Sequence, residues 1–375
     1  MATALHAQKP SRPRLWVVMA ACAGAVVVVA SSVVVIAHVH GSSAAASTAG
    51  PPAPLTVLST APTGDSAASG STVSVQFSTD LAADSPMPSL TPAVAGAWAV
   101  LSPSLLQYQA SGPLVPGTTE TITVPGGPAG VVGSQGQHLP STVTTDFTVA
   151  PGSTLRLQQL LAELGYLPVT FTASSAQTSP AQEADVQAGN FTWRWFNQPV
   201  ELTSLWTPGS ENVITQGAVM NFESQHGLKT DGAAGPAVWS DLLSDAQSGR
   251  ADALPYDYVL VTKALPETAT VYGSGVPVYA TLANTGVAGA PTEDGTWPVY
   301  ARYTVTTMSG TNPDGSHYVD PGIPWVSYFH GGDALHGFDR GSYGYPQSDG
   351  CVEMPPAHAE VVFPLTPLGT LVTVQ

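Results

Sequence analysis

The sequence has little charge, few basic residues and almost no cysteine. Only 10% of its 375 residues are charged, and 10 Lys and Arg stand against 26 Asp and Glu, for a net charge of −16. This acidity argues against nucleic acid or an anionic lipid surface as a partner. Solubility is the simplest explanation of the acidity itself.

The one long hydrophobic run lies near the N-terminus, at residues 15–37, and holds 23 residues without a charge. Such a run can cross a hydrocarbon core of about 30 Å. Lys9, Arg12 and Arg14 precede it with no acidic residue, which predicts a cytoplasmic segment 1–14 and an extracytoplasmic remainder. A cleaved signal peptide is the alternative, but no clear A-x-A site follows closely. We predict a single-pass anchor in the cell membrane.

Cysteine is limited to Cys22, inside that run, and Cys351. An exported thiol without a disulfide partner is a candidate nucleophile, and the alternative is a small buried residue. The surroundings favour the nucleophile, because His336-Gly337 lies fifteen residues upstream and Ser348-Asp349-Gly350-Cys351 is typical of a tight turn.

Between the anchor and this region the periodicity changes twice, which predicts a multidomain, mainly β protein. Residues 38–54 form a Ser-, Ala- and Gly-rich linker. Residues 55–150 alternate in short β-branched stretches, which predicts a β-sandwich. The pattern STVSVQFS at 71–78 and the late F-x-V at 147–149 resemble a bacterial immunoglobulin-like domain. We predict a spacer role for it.

Residues 153–249 show helical spacing instead. The stretches LQQLLAELGY at 157–166, AVMNFESQHGL at 218–228 and DGAAGPAVW at 231–239 resemble the small three-helix peptidoglycan-binding domain. An insertion at 169–212 separates the first two helices. Its aromatic residues could either stack on sugars or fill a small core, and the core is the preferred alternative. These aromatic residues are Phe191, Trp193, Trp195, Phe196 and Trp206.

Residues 255–375 predict a third, mostly β domain. The predicted strands are 259–261, 276–282, 297–305, 325–329 and 370–374, with His336 and Cys351 on loops at one edge. A short helix at 357–363 follows the thiol.

The thiol region resembles the active-site signature of the L,D-transpeptidase (YkuD-type) catalytic domain. The shared features are HG, a glycine-rich loop and then S-x-G-C. The stretches APTEDGTWPV at 290–299 and LGTLVTV at 368–374 are similar to two further strands of that family. This resemblance implies a peptidoglycan stem-peptide substrate, a thioester on the cysteine and a 3→3 cross-link, with no cofactor.

By that resemblance Cys351 is the nucleophile and His336 the base. The backbone N–H groups of Gly350 and Cys351 are candidates for the oxyanion hole, and Gly337 lets the backbone approach His336 closely. Ser348 belongs to the same signature and is assigned to the substrate side of the site.

The sequence departs from the family at two positions: Asp349 replaces the motif histidine, and Glu353 stands where the family has Arg or Asn. A carboxylate beside the sulfur disfavours the thiolate. The alternative function is therefore a wall-binding scaffold that has lost turnover. Asp339 and Arg340 lie on the loop between His336 and Cys351 and could position substrate, but two solvated loop residues are the preferred alternative. No zinc site is predicted, because no histidine is followed seven residues later by Asp.

Overall fold

The chain is described here from a computed structural model that covers residues 52–176 and 182–375. The predicted anchor at 15–37 and most of the linker at 38–54 lie outside the described residues. Within the described ranges, no helix is both long enough and apolar enough to cross a membrane.

The N-terminal part of the described chain is built from two four-stranded sheets, ordered β1-β3-β6-β5 and β2-β8-β7-β4. Alternation in the sequence produces them: Val73, Val75 and Phe77 of β3 are buried while the residues between them are only partly covered. The core lies between the sheets. The immunoglobulin-like assignment of residues 55–150 stays a prediction. The strands are β1 (Val57–Ala61), β2 (Gly64–Ala67), β3 (Val73–Phe77), β4 (Ser89–Thr91), β5 (Gly96–Ser102), β6 (Leu105–Ala110), β7 (Thr119–Val124) and β8 (Val143–Val149).

The next segment is helical, and its helix ends follow capping rules. The side chains of Ser153 and Asn212 cap the first and third helices, and Gly227 ends the third with a positive φ of 66°. The three longer helices coincide with the three predicted ones, although the peptidoglycan-binding assignment of 153–249 stays a prediction. The helices are α1 (Thr154–Glu163), α2 (Val200–Thr203), α3 (Val213–His226) and α4 (Pro236–Ser248).

The insertion forms an antiparallel hairpin of β9 (Val169–Ala173) and β10 (Gly189–Trp193), followed by α2. Phe191, Trp193 and Trp206 pack against the core of the helical segment, with the rings of Phe191 and Trp206 5.3 Å apart. Phe196 by contrast is fully exposed. Three of the five aromatic residues therefore fill a core.

The C-terminal part contains a five-stranded sheet, ordered β13-β12-β11-β19-β14, and a four-stranded sheet, ordered β15-β16-β17-β18. A core of mostly aliphatic residues lies between them, and α5 packs on it. The elements are β11 (Asp257–Thr262), β12 (Thr268–Gly273), β13 (Val276–Leu282), β14 (Gly295–Pro298), β15 (Ala301–Thr311), β16 (His317–His330), β17 (Asp333–Gly337), β18 (Val352–Met354), α5 (Pro356–Val362) and β19 (Leu371–Val374).

The structure corrects the predicted strands in this part. The predicted strand 297–305 is divided, because the Val299 N–H donates to Thr370 in one sheet and the Tyr300 N–H to Tyr328 in the other. The predicted strand 325–329 is only the end of β16, whose first half carries Pro and Gly and lacks an alternating apolar pattern. Strand β12 was not predicted.

The helical segment packs directly on the five-stranded sheet. A Cβ atom added to Gly217 of α3 would lie 2.5 Å from the carbonyl oxygen of Gly369, so the close approach requires glycine there. Leu371 of β19 and Tyr258 of β11 belong to the same buried cluster as the helices. The helices and the five-stranded sheet therefore share a core.

Candidate active site

The register of one parallel strand pair brings the two predicted catalytic residues together. In the pairing of β17 with β18, His336 lies opposite Glu353, and Cys351 directly precedes β18. Paired residues point to the same face and alternate residues return to it. His336, Glu353 and Cys351 therefore share one face of the sheet. The prediction that His336 and Cys351 lie on loops is wrong for His336, which belongs to β17.

This face opens into a cavity of about 350 Å³. Four of the predicted site residues line it: His336, Ser348, Asp349 and Cys351. The β15–β16 hairpin, which was not predicted to take part, also lines the cavity, through residues such as Asn312, Tyr318 and Asp320. The uneven hydrophobic pattern of that hairpin gave no signal that it would line the cavity.

His336 is oriented by a backbone carbonyl. Its Nδ1 lies 3.1 Å from the carbonyl oxygen of Gly337, and its side chain is buried at 3% exposure. A carbonyl oxygen only accepts, so Nδ1 carries the proton and Nε2 is left as the acceptor. Burial lowers the pKa of His336 from its ordinary value. The imidazole is therefore neutral at pH 7 and can take a proton at Nε2.

Cys351 is half-buried and uncharged in the resting site. Its Sγ lies 3.7 Å from the carbonyl oxygen of Gly332. Desolvation raises the pKa of Cys351 to about 12, with smaller contributions from Asp333, Glu353 and Asp349 and an opposing hydrogen bond from the backbone of Ala334. The thiol must therefore lose its proton to a neighbouring base as it attacks, because a preformed thiolate is scarce.

The turn before the thiol is held by hydroxyl groups. Ser348 Oγ donates to the carbonyl oxygen of Cys351 at 2.5 Å and accepts from the Gly350 N–H at 3.3 Å. Thr292 Oγ1 donates to the carbonyl oxygen of Gly350 at 2.7 Å. The Gly350 N–H, a predicted oxyanion donor, is thus directed into the turn in this state. Ser348 holds the turn as well as lining the cavity.

Two glycines of the signature meet a steric demand. Gly350 has a φ of 114°, and a Cβ atom there would lie 2.5 Å from Oδ1 of Asp333. At Gly337 a Cβ atom would lie 2.9 Å from Cα of Pro356. Gly337 therefore allows α5 to pack on the sheet, a role that the sequence did not indicate.

The two acidic departures from the family pattern have different surroundings. Glu353 is buried and forms a bidentate ion pair with Arg340, with N–O distances of 2.8 and 2.7 Å. The guanidinium also covers the ring of Phe338 at 4.6 Å. Arg340, predicted to be a solvated loop residue, is therefore paired with Glu353 instead, and the charge of Glu353 is compensated. No sequence signal reveals this pair, because the loop conformation sets it.

Asp349 by contrast is exposed at the edge of the cavity. Within the described ranges its carboxylate has no hydrogen bond or ion pair, and its charge contributes to the raised pKa of Cys351. The described part of the chain also contains no group of three or more His, Cys, Asp or Glu that could hold a metal ion.

A thiol and a neutral, oriented imidazole that line the same cavity define a candidate cysteine acyl-transfer site. The family model of the L,D-transpeptidase catalytic domain, YkuD, matches residues 256–374. This part of the chain is therefore an L,D-transpeptidase catalytic domain, as the motif predicted. The comparisons do not identify the immunoglobulin-like or peptidoglycan-binding domains. No curated protein matches the chain.

Solved structures of L,D-transpeptidases match at low similarity. An L,D-transpeptidase from Mycobacterium smegmatis is 13% identical, with 86% of this chain and 100% of that chain covered and a TM-score of 0.29. L,D-transpeptidase 3 from Mycobacterium tuberculosis, in complex with a faropenem-derived adduct, is 14% identical, with 85% of this chain and 97% of that chain covered and a TM-score of 0.30. The catalytic domain from the E. faecium L,D-transpeptidase is 25% identical, with 33% of this chain and 100% of that chain covered and a TM-score of 0.30. At these TM-scores the structures carry no information about the site.

Proposed function

We propose that the chain is an L,D-transpeptidase that forms 3→3 cross-links in peptidoglycan through a thioester on Cys351. The observation that carries this proposal is the β17–β18 register, which puts an imidazole with a free Nε2 and a thiol on one face of the cavity. The membrane anchor at 15–37 and the wall-binding helices at 153–249 are further parts of the proposal.

In the first half-reaction the thiol proton passes to Nε2 of His336 as Sγ attacks the carbonyl carbon of the stem peptide. The peptide C–N bond breaks, the proton goes to the departing D-alanine, and a thioester remains. The raised thiol pKa and the lowered imidazole pKa support this order, since both groups start uncharged. In the second half-reaction an acceptor amine attacks the thioester and the thiol leaves with a proton.

The second candidate is a wall-binding scaffold without turnover. It is favoured by one observation: Asp333, Glu353 and Asp349 all raise the thiol pKa. The pairing of Glu353 with Arg340 removes part of this argument. We favour the enzyme because the base, the turn and the cavity are all assembled around Cys351.

The direct test is incubation of the full chain with a stem tetrapeptide. We expect release of D-alanine, a thioester on Cys351 and a cross-linked product, all absent in Cys351→Ala. Release of D-alanine by Cys351→Ala would disprove the assignment of the nucleophile. Binding to isolated peptidoglycan without D-alanine release would establish the scaffold instead.

A further inference from the structure

A second cavity, of about 500 Å³, is lined by residues of both the N-terminal sheets and the helical segment, and we call it the junction cavity. The loop at 92–95 and the stretch 111–118, which joins β6 to β7, contribute to it. Helix α4 contributes residues three or four positions apart, so one face of the helix is turned to the cavity. These residues are Pro236, Ser240, Leu243, Ser244 and Gln247. The junction cavity shares no lining residue with the catalytic cavity.

Two close approaches join the N-terminal part to the ends of this helix face. A Cβ atom added to Gly112 would lie 2.7 Å from Nε2 of Gln247, and one added to Gly117 would lie 3.5 Å from Cγ of Pro236. Pro236 and Gln247 are the first and last of the α4 lining residues, about 16 Å apart along a helix that rises 1.5 Å per residue. The junction cavity is therefore lined by the α4 residues between two fixed contact points.

One buried carboxylate, that of Glu120, lines the junction cavity. In β7 it is buried at alternate positions with Ile122 and Val124, so it stands where the strand pattern places core residues. Its side chain is only 2% exposed, and its Oε2 has no hydrogen-bond partner among the described residues. No Lys, Arg or His of the described ranges lines the cavity. The described part of the chain therefore supplies no cation to this carboxylate from within the cavity.

The chemistry of the lining narrows the class of ligand. A buried polar atom without a partner is normally satisfied by a bound group, and burial raises the pKa of Glu120, so a bound cation would stabilise its charged form. Calcium requires six to eight oxygen ligands, whereas Glu120 is the only Asp or Glu among the lining residues. Much of the remaining lining is apolar, including Val94, Val115 and Leu243. An organic cation with an aliphatic part fits these features better than a metal ion.

We propose that the junction cavity binds a primary ammonium group carried on a short aliphatic chain, with Glu120 as its counter-ion. The ammonium has three N–H donors, and the hydroxyl groups of Ser240 and Ser244 line the same cavity as further acceptors. The aliphatic chain packs on the apolar lining. Free alkyl amines and the side-chain amines of peptides both carry this group. The site lies outside the catalytic cavity, so it goes beyond the proposed function and does not depend on it.

The test is a saturation-transfer NMR titration of the full chain with probes of similar size and different charge: n-pentylammonium, 1-pentanol and pentanoate. We expect saturable binding of n-pentylammonium, at least about ten-fold weaker binding of 1-pentanol and none of pentanoate. Glu120→Gln should weaken the binding of n-pentylammonium about ten-fold or more, as expected when a hydrogen bond to a charged group is lost. Nα-acetyl-lysinamide is the second ammonium probe. Tighter binding of this probe than of n-pentylammonium identifies a peptide side chain as the source, and the reverse order identifies a free amine.

Asp146→Asn is the matched control, because it removes the same charge from the neighbouring strand β8 at an exposed position that does not line the cavity. Its affinity for n-pentylammonium should equal that of wild type. Ser240→Leu is the second test variant, since it fills the cavity from an exposed position of α4 and leaves Glu120 in place. It should also weaken the binding of n-pentylammonium, and it decides the question if Glu120→Gln fails to fold.

Three outcomes would overturn the assignment of the junction cavity. The first is the absence of saturable binding of either ammonium probe to the wild-type chain. The second is 1-pentanol binding as tightly as n-pentylammonium, and the third is equal affinity of wild type and Glu120→Gln for n-pentylammonium. None of these outcomes bears on the release of D-alanine, which Cys351→Ala tests separately, so the proposed function stands or fails on its own.

Discussion

Two buried histidines in this chain have opposite environments. His226 of α3 has Nδ1 2.8 Å from the carbonyl oxygen of Phe222 and Nε2 2.8 Å from Oδ2 of Asp245. Its ring also stacks on that of Phe222 at 3.9 Å. His336 has only its Nδ1 engaged, and its second nitrogen faces the catalytic cavity.

The difference teaches how to separate structural from reactive histidines in this molecule. Burial alone does not distinguish them, since both side chains are largely covered. A histidine with both nitrogens satisfied holds its segment together. A histidine with one nitrogen fixed by a carbonyl and the other free is preset to accept a proton.

The largest expected effect is the difference in acylation rate between two variants, in which one or the other histidine is replaced by asparagine. His336→Asn removes Nε2 and should lower the rate of Cys351 acylation by about 100- to 10,000-fold, the range of a general base. His226→Asn should leave that rate nearly unchanged. The measurement is the acylation rate by intact mass, and equal losses in the two variants would break the distinction.

The pH dependence should report the state of His336. Burial lowers its pKa from the ordinary 6.5, so the imidazole is already deprotonated near pH 7. The acylation rate should therefore not change with pH around pH 7, and should fall only in more acidic solution. The unfolded chain takes up this proton at higher pH than the native chain, so stability also decreases as pH falls below about 6.5. A rate that falls steeply between pH 8 and 7 would contradict the lowered pKa of His336.

The structural histidine should show its effect in stability. His226→Asn leaves the buried Asp245 without its 2.8 Å partner, which should lower the free energy of unfolding by about 1–3 kcal/mol. Denaturant unfolding measures this value. His336→Asn keeps a group able to donate to the carbonyl oxygen of Gly337 and should change the free energy of unfolding less. A larger loss of stability in His336→Asn than in His226→Asn would contradict the assignment of His226 as the structural histidine.

The ion pair of Arg340 with Glu353 extends the comparison from the histidines to the acidic residues of the site. Arg340→Ala should cost about 1–3 kcal/mol in the free energy of unfolding, less than a fully buried pair because the guanidinium is partly exposed. Lys229→Ala, which breaks a pair on an exposed loop, is the matched control and should have no measurable effect. The double variant Arg340→Met with Glu353→Gln should recover much of the loss.

The smallest effect is expected at Asp349. Asp349→Asn removes a charge that raises the thiol pKa, and should speed acylation by about two- to five-fold, as expected for a screened charge at an exposed position. Acylation kinetics with the tetrapeptide measure it. A slower variant would mean that the carboxylate assists acylation.

Several features of the fold and site followed from sequence. The helices α1, α3 and α4 lie in the segment where the sequence shows helical spacing, and the motif singled out Cys351 and His336, which line one cavity. The sheet exchange at Val299 could not be predicted, because a continuous apolar pattern does not show which sheet receives each half. The pairing of Arg340 with Glu353 depends on a loop conformation, and the role of the β15–β16 hairpin depends on tertiary packing.

The most direct test of the central claim is the intact mass of the full chain after incubation with a carbapenem, for wild type and Asp349→His. The account predicts a covalent adduct on wild type that maps to Cys351, because His336 supplies the base despite the neighbouring carboxylate. No adduct on wild type, with one formed by Asp349→His, would contradict it and show a catalytic fold silenced by Asp349.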